Sequence, residues 1–121
     1  MKFKTLTPNI FYTDIKVGLG LFVDCLGFRI VYDDLTSTEP FCVVEKDGVK
    51  ACLYQNEEFA LKDRPELRLE TDDIEEVYAQ VKENYPGLLH PNGNTVTLKP
   101  WQAKEFALLD TSGVCIIVQQ W

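Results

Sequence analysis

The chain has 121 residues, 45% of them hydrophobic and 26% charged, and carries a net charge of −7. That is enough for one compact domain, and no apolar run approaches the length of a membrane span. The acidic balance excludes non-specific nucleic-acid binding, which needs a basic face, and tolerates cationic small ligands.

The opening Met-Lys-Phe-Lys-Thr lacks the apolar core of a signal peptide, so a cytoplasmic protein is expected. Cys25, Cys42, Cys52 and Cys115 form no Cys-x-x-Cys pair and lie inside apolar patterns. Packed, reduced thiols fit better than disulfides or a zinc site.

Residues 6–13 read as a first strand, with Pro8 holding it to a sheet edge or strand start. Asp14 is placed to cap a helix whose apolar face is Ile15, Leu19, Phe22 and Leu26. Gly18 and Gly20 weaken that helix by roughly 1 kcal/mol each, which points to close packing on a sheet. Gly27 ends it, Phe28–Tyr32 reads as a strand, and 33–40 as a polar loop. Residues 41–55 form a hairpin around Asp47-Gly48, and 56–64 a charged connector without clear period.

The pattern then starts over. Glu66–Thr71 alternates like a strand. Asp73 and Glu76 form a capping box for a helix with Ile74, Val77, Val81 and Tyr85 on its apolar face. Leu88–His90 and Thr95–Leu98 read as short strands around an Asn92-Gly93 turn. Pro100-Trp101-Gln102 is a loop, and residues 106–120 form a second hairpin. This hairpin matches the first at an offset of 65, Phe41 meeting Phe106 and Gly48 meeting Gly113. The strand-to-helix junctions match at an offset of 59, Asp14-Ile15 meeting Asp73-Ile74 and Thr7 meeting Glu66. The second half therefore carries about six extra residues near His90–Gln102.

The duplicated βαβββ pattern resembles the vicinal oxygen chelate superfamily of glyoxalases, extradiol dioxygenases and bleomycin-resistance proteins. The residues that carry the likeness are Tyr12-Thr-Asp-Ile15 with Leu21–Phe28, then Thr71–Tyr78, Pro100–Phe106 and Asp110–Gly113. The bleomycin-resistance-like branch is the most similar. The resemblance implies an α+β fold in one domain. Its two tandem βαβββ modules, about 1–56 and 65–121, would form an incomplete eight-stranded barrel with a concave cleft.

Strand alternation can be read without the family. Ile10, Leu67 and Leu69, with Val49, Ala51, Leu53, Val114, Ile116 and Val118, should face the helices. The opposite face carries Thr7, Asn9, Phe11, Glu66, Arg68 and Glu70 on the first strands. On the last strands it carries Lys50, Cys52, Tyr54, Cys115, Ile117 and Gln119. This mixed polar and aromatic set is what a ligand cleft needs.

The resemblance carries the four metal-ligand positions of the superfamily onto Thr7, Cys52, Glu66 and Ile117. Only Glu66 is a convincing ligand, and Ile117 cannot bind a metal at all. No cofactor is expected, and a divalent metal is not. Trp101 either caps the sheet edge or packs at a subunit interface, or it stacks on a bound planar or cationic ligand. His90 reads as a surface residue of the variable loop, or as a base at the cleft mouth. Glu66, Arg68 and Glu70 form either an ion-pair ladder or a ligand-recognition strip. Trp121 fits a homodimer interface.

These observations point to metal-free binding of a small molecule, of which an antibiotic is one kind, by sequestration. The expected ligand-binding residues are Thr7, Asn9, Phe11, Lys50, Cys52, Tyr54, Glu66, Arg68, Trp101, Ile117 and Gln119. The alternatives are a metal-dependent or Glu66-based lyase, isomerase or dioxygenase, and an interaction module with an empty cleft.

Overall fold

The strand–helix–strand order read from the sequence occurs twice in a computed structural model that describes residues 1–62 and 64–121. The chain divides into two compact units, Met1–Asp63 and Arg64–Trp121. Each unit holds one open, mixed four-stranded sheet, and neither sheet closes into a barrel.

In the first unit the sheet order is β1 (Asn9–Tyr12), β4 (Val49–Gln55), β3 (Phe41–Lys46), β2 (Arg29–Asp34). The β1–β4 pair is parallel and the other two are antiparallel. Pro8 lacks an N–H, so the edge strand begins at the next residue, while the Pro8 carbonyl accepts the Cys52 N–H. Thr7, expected on this strand, therefore lies before it. The helix after β1 starts as α1 (Ile15–Leu19), capped by the Asp14 carboxylate on the Lys16 N–H. It continues as a π-helical turn over Gly20–Cys25. The wider turn rotates the inner face away from the expected 3.6-residue spacing. Leu21 and Phe22 are buried, whereas Leu19 and Leu26 are only half-buried. Gly18 meets the expectation of close packing, because a Cβ there would overlap the buried Tyr12 ring. Gly20 does not, having open space beside it.

Two readings of this unit need correction. β2 runs on into the expected loop, since Asp33 and Asp34 pair with Cys42 and Phe41. The connector after β4 forms α2 (Glu57–Lys62), with the Asn56 side chain accepting the Phe59 N–H at its start; Asp63 lies outside the described residues.

The second sheet has the order β5 (Glu66–Glu70), β8 (Cys115–Gln120), β7 (Lys104–Leu109), β6 (Thr97–Leu98). Helix α3 (Ile74–Asn84) is capped by Asp73 on the Glu76 N–H, while the Asp73 N–H goes to the Thr71 hydroxyl rather than to Glu76. Ile74 and Val81 are buried. Tyr85 stays exposed, and Tyr78 packs instead, its ring edge on Phe106 and its hydroxyl donating to the Asn94 carbonyl at 2.7 Å.

The six extra residues do not make a hairpin. Pro86–Leu88 is a 3₁₀ turn, and a single bridge joins Leu89 to Leu108. Residues 90–93 then lie along β7. The His90 N–H donates to the Ala107 carbonyl, and the Gly93 carbonyl accepts the Ala107 N–H. A Cβ on Gly93 would sit 3.0 Å from the Ala107 Cβ, so this glycine permits close approach rather than a tight turn.

The duplication shows in atoms as well as in order. Gln55 at the end of β4 accepts the Ile15 N–H at 3.0 Å, and Gln120 at the end of β8 accepts the Ile74 N–H at 2.7 Å. Each helix start is thus tied to the last strand of its own sheet.

The hairpins match less simply. The first turns on Asp47 and Gly48, with φ values of 53° and 82°, as a two-residue hairpin loop requires. The second uses a longer loop that the Asp110 carboxylate organises by accepting the Ser112 and Val114 N–H groups. In consequence Phe41 pairs with Tyr54, whereas Gln119, the counterpart of Tyr54, pairs with Glu105. The structural counterpart of Phe41 is therefore Glu105, not Phe106. A slip of one residue sends a side chain to the other face, so Phe106 is buried while Phe41 remains half-exposed.

Candidate functional site

Strand alternation places the helix-facing residues largely as read. Ile10, Ala51, Leu53, Val114, Ile116 and Val118 are buried. Leu67 and Leu69 are half-buried, and Val49 is exposed at the hairpin tip.

On the other face of the first sheet, Asn9 lies beside Cys52, and Phe11 beside Tyr54. The sequence reading missed what surrounds them. Phe59, Phe11, Tyr54, Phe41 and Tyr32 form a continuous row of rings. Successive centroids lie 5.1, 5.3, 4.5 and 5.7 Å apart, and none of the five rings is buried. These spacings fit favourable aromatic pairing. Lys50 is exposed and lies opposite Glu45.

The second unit contains a cavity of about 330 Å³. Glu66 from β5, Cys115 and Ile117 from β8, and Glu105 and Ala107 from β7 line it on the sheet side. Phe106 of β7 also lines it, and its remaining wall is Thr97, Lys99, His90 and the loop from Asn92 to Thr95. The six inserted residues thus build one side of a pocket. His90 belongs to it, which the reading as a surface residue missed. The His90 Nδ1 accepts the Asn92 N–H at 3.0 Å, leaving Nε2 as the N–H nitrogen of the neutral ring. Cys115 has its thiol pKa raised, first by burial and then by the Glu66 carboxylate; at neutral pH it is a protonated wall group rather than a nucleophile.

One carboxylate of the cavity wall gathers Arg68, Trp101 and, through Arg68, Gln119. Glu105 is 5% exposed. Its Oε2 accepts the Trp101 indole N–H at 2.7 Å and an Arg68 Nη1 hydrogen at 3.1 Å. Arg68 Nη1 also donates to Gln119 Oε1 at 2.8 Å. Gln119, expected to face a ligand, is instead buried and engaged by Arg68. Trp101 is anchored through its indole N–H and is about half exposed. Matching Phe41 to Phe106 in the sequence hides Glu105, which holds the position of Phe41 in the strand register. The alternation of Glu105, Ala107 and Leu109 against Phe106 and Leu108 was the signal available.

The residues at the superfamily's metal positions do not fit a metal. Cys52 and Ile117 sit on β4 and β8 opposite Asn9 and Arg68. Thr7, before β1, offers only a hydroxyl, and Ile117 offers no donor. Among the described residues, no three His, Cys, Asp or Glu side chains come together as a metal-binding group.

No described helix is long and apolar enough to cross a membrane. No protein-family model matches the chain. A bleomycin resistance protein of Geobacillus stearothermophilus is 27% identical over 122 residues, covering 85% of this chain and 86% of that protein. A crystal structure of a bleomycin-binding protein complexed with bleomycin superposes with a TM-score of 0.73 at 23% identity, covering 98% of this chain and 99% of the other. A member of the glyoxalase/bleomycin resistance protein/dioxygenase superfamily from Sphaerobacter thermophilus superposes with a TM-score of 0.71 at 19% identity, covering 99% and 98% of the two chains.

Proposed function

We propose that the chain is a member of the vicinal oxygen chelate superfamily, as its duplicated fold and its likeness to bleomycin resistance proteins support, and that it sequesters a small molecule of the bleomycin type without a resident metal. The protein works in the cytoplasm as a homodimer. The observation that carries this reading is the cavity of about 330 Å³, whose wall mixes polar side chains such as Glu66, His90 and Thr97 with apolar Phe106 and Ile117. That volume is near the lower end for small-ligand sites, so it holds one group of a large antibiotic while the rest lies outside. Sequestration requires affinity, not chemistry. Ile117 at a ligand position costs such a protein nothing.

The test is thermal melting with metal-free bleomycin, with EDTA present throughout. Ligand at a hundredfold excess over its dissociation constant stabilises by about 2.7 kcal/mol. A flat melting temperature at millimolar ligand would refute antibiotic binding. A stoichiometric divalent ion in protein purified without chelator would refute the metal-free part.

One observation favours a second reading, a Glu66-based enzyme of the lyase or isomerase kind. Glu66 and His90 line the same cavity, and such a pair can exchange protons with a bound substrate. Mass spectrometry of the ligand after prolonged incubation separates the two: sequestration returns it unchanged.

A further inference from the structure

We infer that Asn92 is a site of spontaneous covalent modification: its side-chain amide cyclises onto the Gly93 nitrogen, and the product undoes the wall that residues 90–93 build along β7. The inference stands apart from what the cavity binds.

The reacting groups are free while the chain around them is held. The Asn92 N–H donates to His90 Nδ1 at 3.0 Å. The Asn92 side chain is exposed and makes no hydrogen bond to any described residue. Its neighbour presents a backbone nitrogen with no side chain to shield it. That neighbour must be glycine, because a Cβ there would lie 3.0 Å from the Ala107 Cβ. Docking on β7 thus keeps a reactive Asn-Gly pair in the chain. The other asparagines lack such a neighbour. Asn9, Asn56, Asn84 and Asn94 precede Ile10, Glu57, Tyr85 and Thr95, whose side chains crowd the attacking nitrogen. The Asn56 side chain is also held by the Phe59 N–H. What restrains Gly93 is one loop hydrogen bond, from its N–H to the His90 carbonyl at 3.0 Å, and such a bond opens by local fluctuation.

The chemistry needs only water. With that bond open, the Gly93 N–H gives its proton to hydroxide. The nitrogen bonds to Asn92 Cγ, the bond from Cγ to the side-chain nitrogen breaks, and ammonia leaves with a proton from water, which restores the hydroxide. A five-membered imide results. Water then adds to one of its two carbonyl carbons, the bond from that carbon to the ring nitrogen breaks, and the nitrogen recovers a proton. Addition at Cγ gives aspartate, and addition at the main-chain carbonyl gives isoaspartate. Nothing is oxidised or reduced.

The consequence follows from how the segment is clamped. The His90 N–H donates to the Ala107 carbonyl at 2.9 Å, and the Ala107 N–H donates to the Gly93 carbonyl at 2.8 Å. Both ends of residues 90–93 are therefore tied to one residue of β7. Isoaspartate routes the main chain through Cβ and so inserts one atom between these ties. The lengthened segment cannot close both, and the freed backbone groups turn to water. Either product also adds a carboxylate to a cavity that Glu66 and Glu105 already line.

The test incubates the full chain at pH 8.5, below its melting temperature, and follows each asparagine by peptide mass spectrometry. Electron-based fragmentation separates aspartate from isoaspartate. Asn92 should convert before any other asparagine, with isoaspartate among the products. The isoaspartate form, isolated by anion exchange, should melt about 3–6 °C lower than the unmodified chain, the effect of losing a backbone hydrogen bond. Its His90 and Ala107 amides should lose protection from hydrogen exchange. Asn92→Ser has no amide to lose and should keep its melting temperature through the same incubation. Freshly purified Asn92→Asp adds charge without lengthening the backbone and should keep both amides protected. No conversion at Asn92, earlier conversion elsewhere, or conversion to aspartate alone overturns the inference. So does an isoaspartate form that melts with the unmodified chain, or an equal loss of stability in incubated Asn92→Ser. A flat melting curve with bleomycin sinks the antibiotic reading and leaves this one standing.

Discussion

Glu105 and Arg68 make opposite demands on stability, because one is buried and the other is not. Replacing Arg68 with leucine leaves a carboxylate that is 5% exposed with the Trp101 N–H as its remaining described donor. Stranding a buried charge costs about 3–5 kcal/mol. Water can reach part of the vacated space, since the Arg68 side chain is 46% exposed, so we expect about 2–3 kcal/mol. Glu105→Gln instead keeps an acceptor of the same shape for both donors. It loses only charge assistance, and about 1 kcal/mol is expected. The double variant Arg68→Leu/Glu105→Leu removes the charge with its partner. Trp101 can turn its N–H to water, and only the buried Gln119 loses a partner, so the pair should cost about 1–2 kcal/mol. This is less than the sum of the single removals. Urea unfolding at pH 7, followed by near- and far-ultraviolet circular dichroism, measures these three and the single Glu105→Leu variant. If Glu105→Gln costs as much as Arg68→Leu, or if the leucine substitutions simply add, Glu105 is not a buried charge held by Arg68.

Gln102 holds a φ of 75° where glycine is the natural occupant, so Gln102→Gly should raise stability by about 0.5–1 kcal/mol, read as a higher melting temperature. Gly18→Ala forces a methyl into the buried Tyr12 ring and should cost about 1–3 kcal/mol in denaturant unfolding. Burial lifts the Cys25 thiol to about 11, and burial, Asp33 and Cys52 lift the Cys42 thiol to about 11, both from an ordinary 9.0. Between these values the folded chain binds more protons than the unfolded one, so stability is unaffected below pH 9 and falls as pH rises from 9 to 11. Cys42→Val should flatten part of that fall in melting curves across pH 8–11, and an unchanged slope would refute the assignment to Cys42.

Much of the fold was legible because it depends on local chemistry. Asp14 and Asp73 cap helices where their carboxylates reach the next backbone N–H groups. Period-two alternation put Ala51, Leu53, Val114 and Ile116 on the inner face, and Asp47-Gly48 could only be a tight turn. The errors arose where one residue of spacing had to be settled by distant partners. The π-helical turn after Leu19 moved the inner face onto Leu21. The longer loop at Asp110 shifted the second hairpin by one residue, which buried Phe106 and gave the outward position to Glu105.

For the candidate site, the sequence by itself determined that the Ile117 side chain carries no metal-ligating atom. It also named Glu66, Arg68 and Trp101, through strand alternation and through family resemblance. Only the tertiary structure decided how they act. Arg68 and Trp101 are 33 positions apart, and what joins them is a third side chain whose face depends on strand register. His90 likewise became a pocket wall because residues 90–93 hydrogen-bond along β7. Register and loop docking are fixed by pairing across the sheet, and no local pattern in the chain encodes them.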